Sequence, residues 1–154
     1  MFANLSRAKF IFAIIFFMLQ KFYVVLAIGA FILKDNKILI VKKSPLEKVD
    51  AGLWTIPGGK IEKRESIIDG LKREVKEEVN LDVLNYQWIG EDVFESNGFW
   101  FHAQHFLCHT KNDNIKLEKK LTDFHWLKKE EIEKFEFPKN IKKRIKEIFA
   151  GNYA

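Results

Sequence analysis

The spacing of apolar residues divides most of the chain into segments typical of an α/β protein. Two apolar runs flank the polar stretch 34–37, a pattern that predicts a pair of strands joined by a turn. An acidic, glycine-containing stretch at 91–98 is predicted to be a loop between two later strands. Because strands and helices alternate irregularly, a layered α/β domain fits better than a parallel doubly wound sheet. The predicted strands are 22–33, 38–41, 53–56, 83–89, 99–109 and 121–127.

Three segments are predicted to be helical. The segment 66–79 begins with Ser66, which together with Asp69 forms a start resembling a capping box. Gly70 lies inside this helix at a cost of about 1 kcal/mol relative to Ala, so we expect a neighbouring element to pack closely there. The other two predicted helices are a short one at 128–135 and a basic amphipathic one at 139–149.

The N-terminal residues differ in character from the rest of the chain. Basic residues precede an apolar run at 10–19, which is shorter than the roughly 20 residues that a membrane-spanning helix needs. We therefore divide the chain into an apolar N-terminal extension, 1–21, and a domain, 22–150. An inert extension from an upstream start codon is the favoured interpretation, with Met18 as an alternative start. The alternatives are a membrane or signal role for residues 1–19, with 10–19 as the membrane contact, and an oligomer contact.

The composition indicates one folded domain. The 154 residues are 47% hydrophobic and 14% aromatic, which is enough to bury a core and excludes a disordered or low-complexity chain. The single cysteine, Cys108, cannot form an internal disulfide, so a reducing, cytoplasmic compartment is expected. The formal net charge of +5 favours anionic partners without indicating a nucleic-acid-binding protein.

The stretch 58–81 contains the residues that indicate chemistry. On a helix, Glu74, Glu77 and Glu78 share one face, and each like-charge pair at this spacing is unfavourable by about 0.2–0.5 kcal/mol. A surface helix can relieve such repulsion with salt bridges. Clustered carboxylates are, however, also the hard oxygen ligands that Mg²⁺ and Mn²⁺ prefer. Because a loop with two glycines precedes the helix and allows close approach of a ligand, we favour a metal site.

The same stretch resembles the Nudix box. The pattern of that box is Gly, five residues, Glu, seven residues, then Arg-Glu-aliphatic-any-Glu-Glu-any-Gly-aliphatic. Gly59 and Glu65 stand at its first two fixed positions. The segment REVKEEVNL, which begins with Arg73, is aligned with the rest of the pattern. The one departure is Asn80, where the family usually has Gly. Asn tolerates the left-handed backbone that ends a helix, so the predicted metal site is retained. The resemblance covers about 22–149.

This resemblance implies a fold, an activity and a set of site residues. The fold is a Nudix-type α/β/α sandwich with a mixed central β-sheet. The activity is Mg²⁺- or Mn²⁺-dependent hydrolysis, in which water attacks a phosphorus of the pyrophosphate in a nucleoside diphosphate linked to another group. Arg73 would orient the glutamates, and Glu65 would support the junction of loop and helix. The implied catalytic residues are Glu74, Glu77, Arg73 and Glu65, and the implied metal ligands are Gly58 through its carbonyl, Glu74, Glu77 and Glu78.

Which carboxylate activates the water differs among members of the family. A glutamate of the box, Glu74 or Glu77, is favoured here. The candidates outside the box are Glu91, Glu95 and Glu118.

Residues outside the box say little about the substrate, which we expect to be a small nucleotide. Sequence elements that accompany several known specificities are missing, so a nucleoside triphosphate and a nucleotide sugar such as ADP-ribose are equally open. His102 is predicted to face away from His105 and His109, which argues against a shared metal ion. The predicted substrate-binding residues are Trp54, Gly59, Trp100 and His102.

Two alternative functions and one assembly state accompany this prediction. The chain could be an RNA 5′-end pyrophosphohydrolase, or a catalytically silent sensor that binds a nucleotide. Contact with nucleic acid through the basic helix 139–149 is not favoured, because its isoleucines predict a packed stripe beneath a solvated face. Family members are often dimers, so the resemblance implies a homodimer as an expectation.

Overall fold

The computed structural model of the chain describes residues 23–153, together with Lys9 and Ile11. Apart from these two positions, the predicted extension 1–21 and the candidate membrane contact at 10–19 lie outside the described residues. Within the described part of the chain, no helix combines the length and apolar character needed to cross a bilayer.

A mixed sheet of seven strands lies at the centre of the described residues. Its strands are β1 (Val24–Lys34), β2 (Lys37–Lys43), β3 (Trp54–Thr55), β4 (Gly58–Lys60), β5 (Val83–Ser96), β6 (Phe99–Thr110) and β7 (Leu121–Leu127). They are hydrogen-bonded in the order β3-β2-β1-β6-β5, with β4 also beside β1 and β7 also beside β2. The pair β1–β6 is parallel, whereas the other pairs are antiparallel.

Helices cover both faces of this sheet. They are α1 (Ile67–Val79), α2 (Lys139–Phe149) and the 3₁₀ helix Lys129–Lys134, which stands where the short helix at 128–135 is predicted. One apolar cluster packs between α1 and the sheet, and a second packs between α2 and the opposite face. The buried helix side chains in them are Leu71, Val75 and Val79 of α1 and Ile141, Ile145 and Ile148 of α2. The predicted α/β/α sandwich with a mixed sheet is therefore confirmed.

Both ends of α1 form as the sequence predicts. The hydroxyl oxygen of Ser66 accepts a hydrogen bond from the backbone N–H of Asp69 at 3.1 Å. Asn80 ends the helix in the left-handed conformation, with φ 60°. A Cβ atom on Gly70 would lie 2.5 Å from the side chain of Ile61, so the preceding loop does pack closely against this glycine.

The prediction of a loop at 91–98 is wrong. β5 continues almost to the next strand, and the turn consists of Asn97 and Gly98, with φ 51° and 77°. Two positive φ angles are typical of the two-residue hairpin turn that Asn-Gly favours. A bulge near Gly90, where φ is 135°, interrupts the register without ending the strand. Glu91 therefore belongs to a strand, where its pairing partner fixes its face.

The two glycines before α1 also lie in a strand, rather than in the predicted loop. β4 pairs with β1, which places Gly58 opposite Gly29 and Gly59 opposite Ile28. A Cβ atom on Gly58 would collide with the carbonyl oxygen of Ile28, and one on Gly59 would collide with the carboxylate of Glu74. Glycine is required here because a backbone and a charged side chain approach more closely than a Cβ atom permits.

A polar cluster connects α2 to the sheet. His105 is 2% exposed, and its Nδ1 lies 3.4 Å from the carboxylate of Asp92. Arg144 of α2 donates hydrogen bonds to the carbonyl of Ile89 at 3.1 Å and to the carboxylate of Glu147 at 2.9 Å. Burial lowers the pKa of His105 to about 4, Asp92 opposes this shift and Arg144 reinforces it. His105 is therefore neutral near pH 7.

We expect His105 to make the folded state less stable in acid. Because the pKa of His105 in the folded state lies below the ordinary histidine value of 6.5, its stabilising contribution is present above pH 6.5 and is lost as the pH falls towards 4. Replacing His105 by Gln should flatten the decline of the unfolding free energy over this range. Chemical denaturation of the two proteins between pH 7 and 4 measures this, and identical pH slopes in both would contradict the prediction.

The packing of α1 predicts a large difference between two leucines. Leu71 is 0% exposed in the cluster beneath α1, whereas Leu46 is 92% exposed. Leu71→Ala should lower the unfolding free energy by about 2–5 kcal/mol, because it removes buried methyl groups and leaves a cavity. Leu46→Ala should change it by less than about 0.5 kcal/mol. Denaturant titration compares the two variants, and similar losses of stability would refute this account of the core.

Candidate functional site

The three helix glutamates differ in their exposure. Glu74 and Glu78 are 6% and 2% exposed, whereas Glu77 is exposed. The backbone N–H of Gly58 donates to Oε2 of Glu78 at 2.8 Å. The carboxylate of Glu74 lies against the backbone of Gly59. The structure thus brings two of the glutamates predicted for the site, Glu74 and Glu78, against the glycines of β4.

Arg73 joins most of these carboxylates. Its Nη1 donates to Oε1 of Glu74 at 2.8 Å and to Oε2 of Glu77 at 3.0 Å. Its Nε and Nη2 donate to the two oxygens of Glu65 at 3.0 and 2.6 Å, and Nη2 also donates to the carbonyl of Lys60 at 3.0 Å. Hydrogen bonding to Glu65, followed by the bonds to the other two carboxylates, raises the pKa of Arg73 further above its usual range. The planar fork of a guanidinium allows one side chain to serve three carboxylates.

Glu65 ties the loop before α1 to the helix. Its Oε1 accepts the backbone N–H of Glu62 at 2.6 Å, while both of its oxygens accept from Arg73. The hydrogen bonds from Arg73, and then the one from Glu62, lower the pKa of Glu65 to about 2. Glu65 is therefore ionised at neutral pH and holds Arg73 at the start of the glutamate face.

Lys120 brings a further carboxylate to these glutamates. Its Nζ lies 3.0 Å from Oε1 of Glu78 and 3.1 Å from Oε2 of Glu118. Burial raises the pKa of Glu78 to about 6, and the charge of Glu74 adds to this, whereas the Gly58 N–H and Lys120 oppose it. Burial also disfavours the charge of Lys120, but its pairing with Glu78 and Glu118 outweighs this and raises its pKa. Sequence reasoning missed Lys120, because neither its neighbours nor its spacing distinguishes it from the other lysines.

These carboxylates are donors of the type that binds metal ions, but the described residues do not show them in a metal-binding arrangement. Among residues 23–153 and the two described N-terminal positions, no group of three or more His, Cys, Asp or Glu side chains is arranged to hold a metal ion. Arg73 and Lys120 contact the glutamate oxygens that a cation would need. Glu74, Glu77 and Glu78 offer the hard oxygen donors that suit Mg²⁺ or Mn²⁺. A divalent cation would therefore compete with the two basic side chains for these oxygens.

The glutamates predicted as bases outside the box lie in different places. Glu118 shares a lysine with the helix glutamates, as described above. Glu91 is instead hydrogen-bonded to His102 at 2.6 Å, and Glu95 stands opposite Trp100 near the β5–β6 turn. Of the three, Glu118 is therefore the one that shares a basic partner with a helix glutamate.

The predicted substrate-binding aromatic residues lie apart from one another. Trp54 packs edge-on against Phe135, with 5.0 Å between ring centroids, in the layer beneath α2. Trp100 and His102 lie on β6, where alternation directs them to the face that carries α1. His105 contacts the opposite layer, so the prediction that it faces away from His102 is confirmed.

The chain is similar to known proteins in both sequence and fold. A family model described as NUDIX domain matches residues 24–149. An 8-oxo-dGTP diphosphatase of Buchnera aphidicola is 42% identical over 57 residues, which are 37% of this chain and 43% of that protein. A CTP pyrophosphohydrolase of Escherichia coli K12 is 34% identical over 80 residues, 51% of this chain and 58% of that protein. The chain thus spans less than two thirds of either relative. A crystal structure of a MutT protein from Methanosarcina mazei Go1 superposes with a TM-score of 0.74 at 25% identity, covering 87% of this chain and 99% of that one.

We expect Arg73 to control the acidity of Glu65. Replacing Arg73 by Met should raise the pKa of Glu65 from about 2 towards 4.5, because hydrogen bonds from the guanidinium are the largest cause of the shift. An NMR titration of the side-chain carboxyl carbons measures this. The control in the same spectra is Glu133, whose pKa is lowered to about 2 by Lys142 and Lys146 and should not change. An unaltered Glu65 titration would show that Arg73 does not hold this carboxylate.

Proposed function

The chain belongs to the Nudix hydrolase family, and we propose that it hydrolyses the pyrophosphate bond of a small nucleotide with the help of Mg²⁺ or Mn²⁺. The observation that supports this best is the pair of buried carboxylates, Glu74 and Glu78, held against the β4 backbone. Buried carboxylates are costly unless they bind a partner. Arg73 and Lys120 are such partners in this structure, and a divalent cation with a phosphate group would be others.

The residues proposed to hold the cation are Glu74, Glu77 and Glu78 and the carbonyl of Gly58. A divalent cation bound there would polarise phosphate oxygens and lower the pKa of a bound water. Arg73 and Lys120, which lie beside these oxygens, would be suited to contact the phosphates, whose negative charge both side chains can pair with. Glu65 would keep Arg73 close to the helix, because the two hydrogen bonds between Arg73 and Glu65 do not involve the helix glutamates.

A carboxylate must also accept the proton of the attacking water. We propose Glu74 or Glu77 for this role, with Glu118 as the candidate from outside the box. Glu77 is supported by its exposure, which leaves it accessible to solvent. Glu118 is supported by its contact with the lysine that pairs with Glu78.

The substrate class that we favour is a nucleoside triphosphate. The names of the two curated relatives, an 8-oxo-dGTP diphosphatase and a CTP pyrophosphohydrolase, support this choice over ADP-ribose. Trp88 and Glu91 of β5 and His102 and Gln104 of β6 also lie on the face of the sheet that carries α1. A nucleotide whose phosphates lie at the helix glutamates would therefore extend over that face.

We expect Glu77→Gln and Glu78→Gln each to lower turnover by roughly 100-fold or more, because each removes charge that a cation and the transition state require. The matched control, Glu130→Gln, changes an exposed glutamate of the 3₁₀ helix and should retain activity. Hydrolysis with Mg²⁺ is measured over nucleoside triphosphates, ADP-ribose and nucleotide sugars, and excess EDTA should abolish it. Near-normal turnover in both glutamine variants would overturn the proposal.

Two further outcomes separate the alternatives. Preference for a triphosphorylated oligonucleotide over free nucleotides would identify an RNA 5′-end pyrophosphohydrolase. Tight binding of a nucleotide without hydrolysis, in folded protein supplied with Mg²⁺ or Mn²⁺, would identify a sensor.

A further inference from the structure

A chain of hydrogen bonds crosses the exposed part of the β5–β6 face. The indole Nε1 of Trp88 donates to Oε1 of Gln104 at 2.8 Å. The amide nitrogen of Gln104 then donates to Oε2 of Glu91 at 3.2 Å. Because an indole N–H can only donate, it fixes which end of the Gln104 amide faces the glutamate. The direction of the whole chain is therefore set, and it ends at the carboxylate of Glu91.

One oxygen of Glu91 is held in place while the other is not. Oε2 receives both the Gln104 amide and Nε2 of His102, at 3.2 and 2.6 Å. Oε1 accepts no hydrogen bond from any residue that the structure describes, and the Glu91 side chain is 50% exposed. An ionised carboxylate accepts hydrogen bonds and does not donate them. Glu91 thus presents one oriented acceptor oxygen on the surface.

This acceptor lies in register with the helix glutamates. Gly59 pairs with Ile28, Ile28 pairs with Gln104, and Gln104 pairs with Glu91. The four residues form one row across β4, β1, β6 and β5, and directly paired residues share a face of the sheet. At about 4.8 Å per strand, the row is about 14 Å long. The carboxylate of Glu74 stands at its first residue, and the acceptor of Glu91 stands at its last.

Apolar side chains surround the acceptor on the same face. Val93 and Leu26 both pair with His102, and they are 63% and 46% exposed. Trp88 is 54% exposed. Exposed aromatic and apolar surface beside a fixed polar group is what a nucleobase requires, because its ring stacks while its edge makes hydrogen bonds.

We propose that Glu91 recognises the exocyclic amino group of the substrate's nucleobase, so that the enzyme prefers cytosine or guanine over uracil or hypoxanthine. This inference rests on the proposed function, because it places the phosphates of the same nucleotide at the helix glutamates. An amino group donates to a carboxylate, as the N4 amino group of cytosine does to Glu or Asp in nucleic-acid recognition. At the same place, the carbonyl oxygen of uracil would face a second acceptor.

Two pairs of nucleotides isolate this contact. CTP differs from UTP by an amino group in place of a carbonyl, and GTP differs from ITP by the 2-amino group. We expect kcat/KM to favour CTP over UTP, and GTP over ITP, by roughly 10- to 100-fold, the range typical of a hydrogen bond to a charged group. In Glu91→Gln this preference should fall to about 1 or reverse, because an amide can also donate to a carbonyl oxygen. Glu130→Gln should keep the wild-type preference.

The ratio within each pair separates recognition from chemistry. If Glu91→Gln lowers kcat/KM equally for both members and keeps the ratio, Glu91 acts on the reaction and the proposal is overturned. A wild-type ratio near 1 in both pairs overturns it as well. Calorimetric binding of the same four nucleotides, with and without Mg²⁺, is measured in parallel. If no nucleotide is hydrolysed, only the proposed function is contradicted. In that case, tighter binding of CTP than of UTP, or of GTP than of ITP, would still support recognition by Glu91. Equal binding of the members of each pair would overturn the recognition proposal.

Discussion

The ion pairs of Arg73 make it possible for several carboxylates to lie on one face of α1. Glutamates at this spacing repel one another, and two of the three here are also buried, where an unpaired charge is most costly. The guanidinium contacts Glu65, Glu74 and Glu77 at once, and Lys120 does the same for Glu78 and Glu118. The same positive groups that pair with these carboxylates therefore occupy the positions that we propose for a cation and the phosphates.

β1 connects this charged helix to the rest of the proposed nucleotide site. On one side it pairs with β4, whose glycines let Glu78 accept a backbone N–H and let Glu74 lie against the chain. On its other side it pairs with β6, which brings Gln104 and Glu91 into the same row. A displacement of β1 would thus change both ends of the site together.

The sequence predicts the parts of this structure that depend on local patterns. The cap of α1, the left-handed Asn80 and the isoleucine stripe of α2 follow from short-range rules, and a single residue spacing indicates the box. The wrong prediction of a loop at 91–98 could have been avoided, because Asn97-Gly98 is a strong signal for a two-residue hairpin turn. That Gly58 and Gly59 lie in a strand could not be predicted in the same way. These glycines are explained by contacts with β1 and Glu74, which are distant in sequence. Lys120 and the chain from Trp88 to Glu91 also depend on long-range pairing, and for that reason no spacing in the sequence indicates them.

The parallel pairing of β1 with β6 has a consequence for how the molecule folds. Antiparallel hairpins such as β1–β2 and β5–β6 need only a two-residue turn, whereas β1 can meet β6 only after the chain has passed through the five elements from β2 to β5. Closing so long a loop costs conformational entropy before the contacts between the two strands can offset that cost. Folds dominated by such pairings therefore form slowly. The row that joins the helix glutamates to Glu91 crosses this junction. The helix glutamates and Glu91 thus lie on opposite sides of the β1–β6 pairing, and they come together only when this central pair of strands closes.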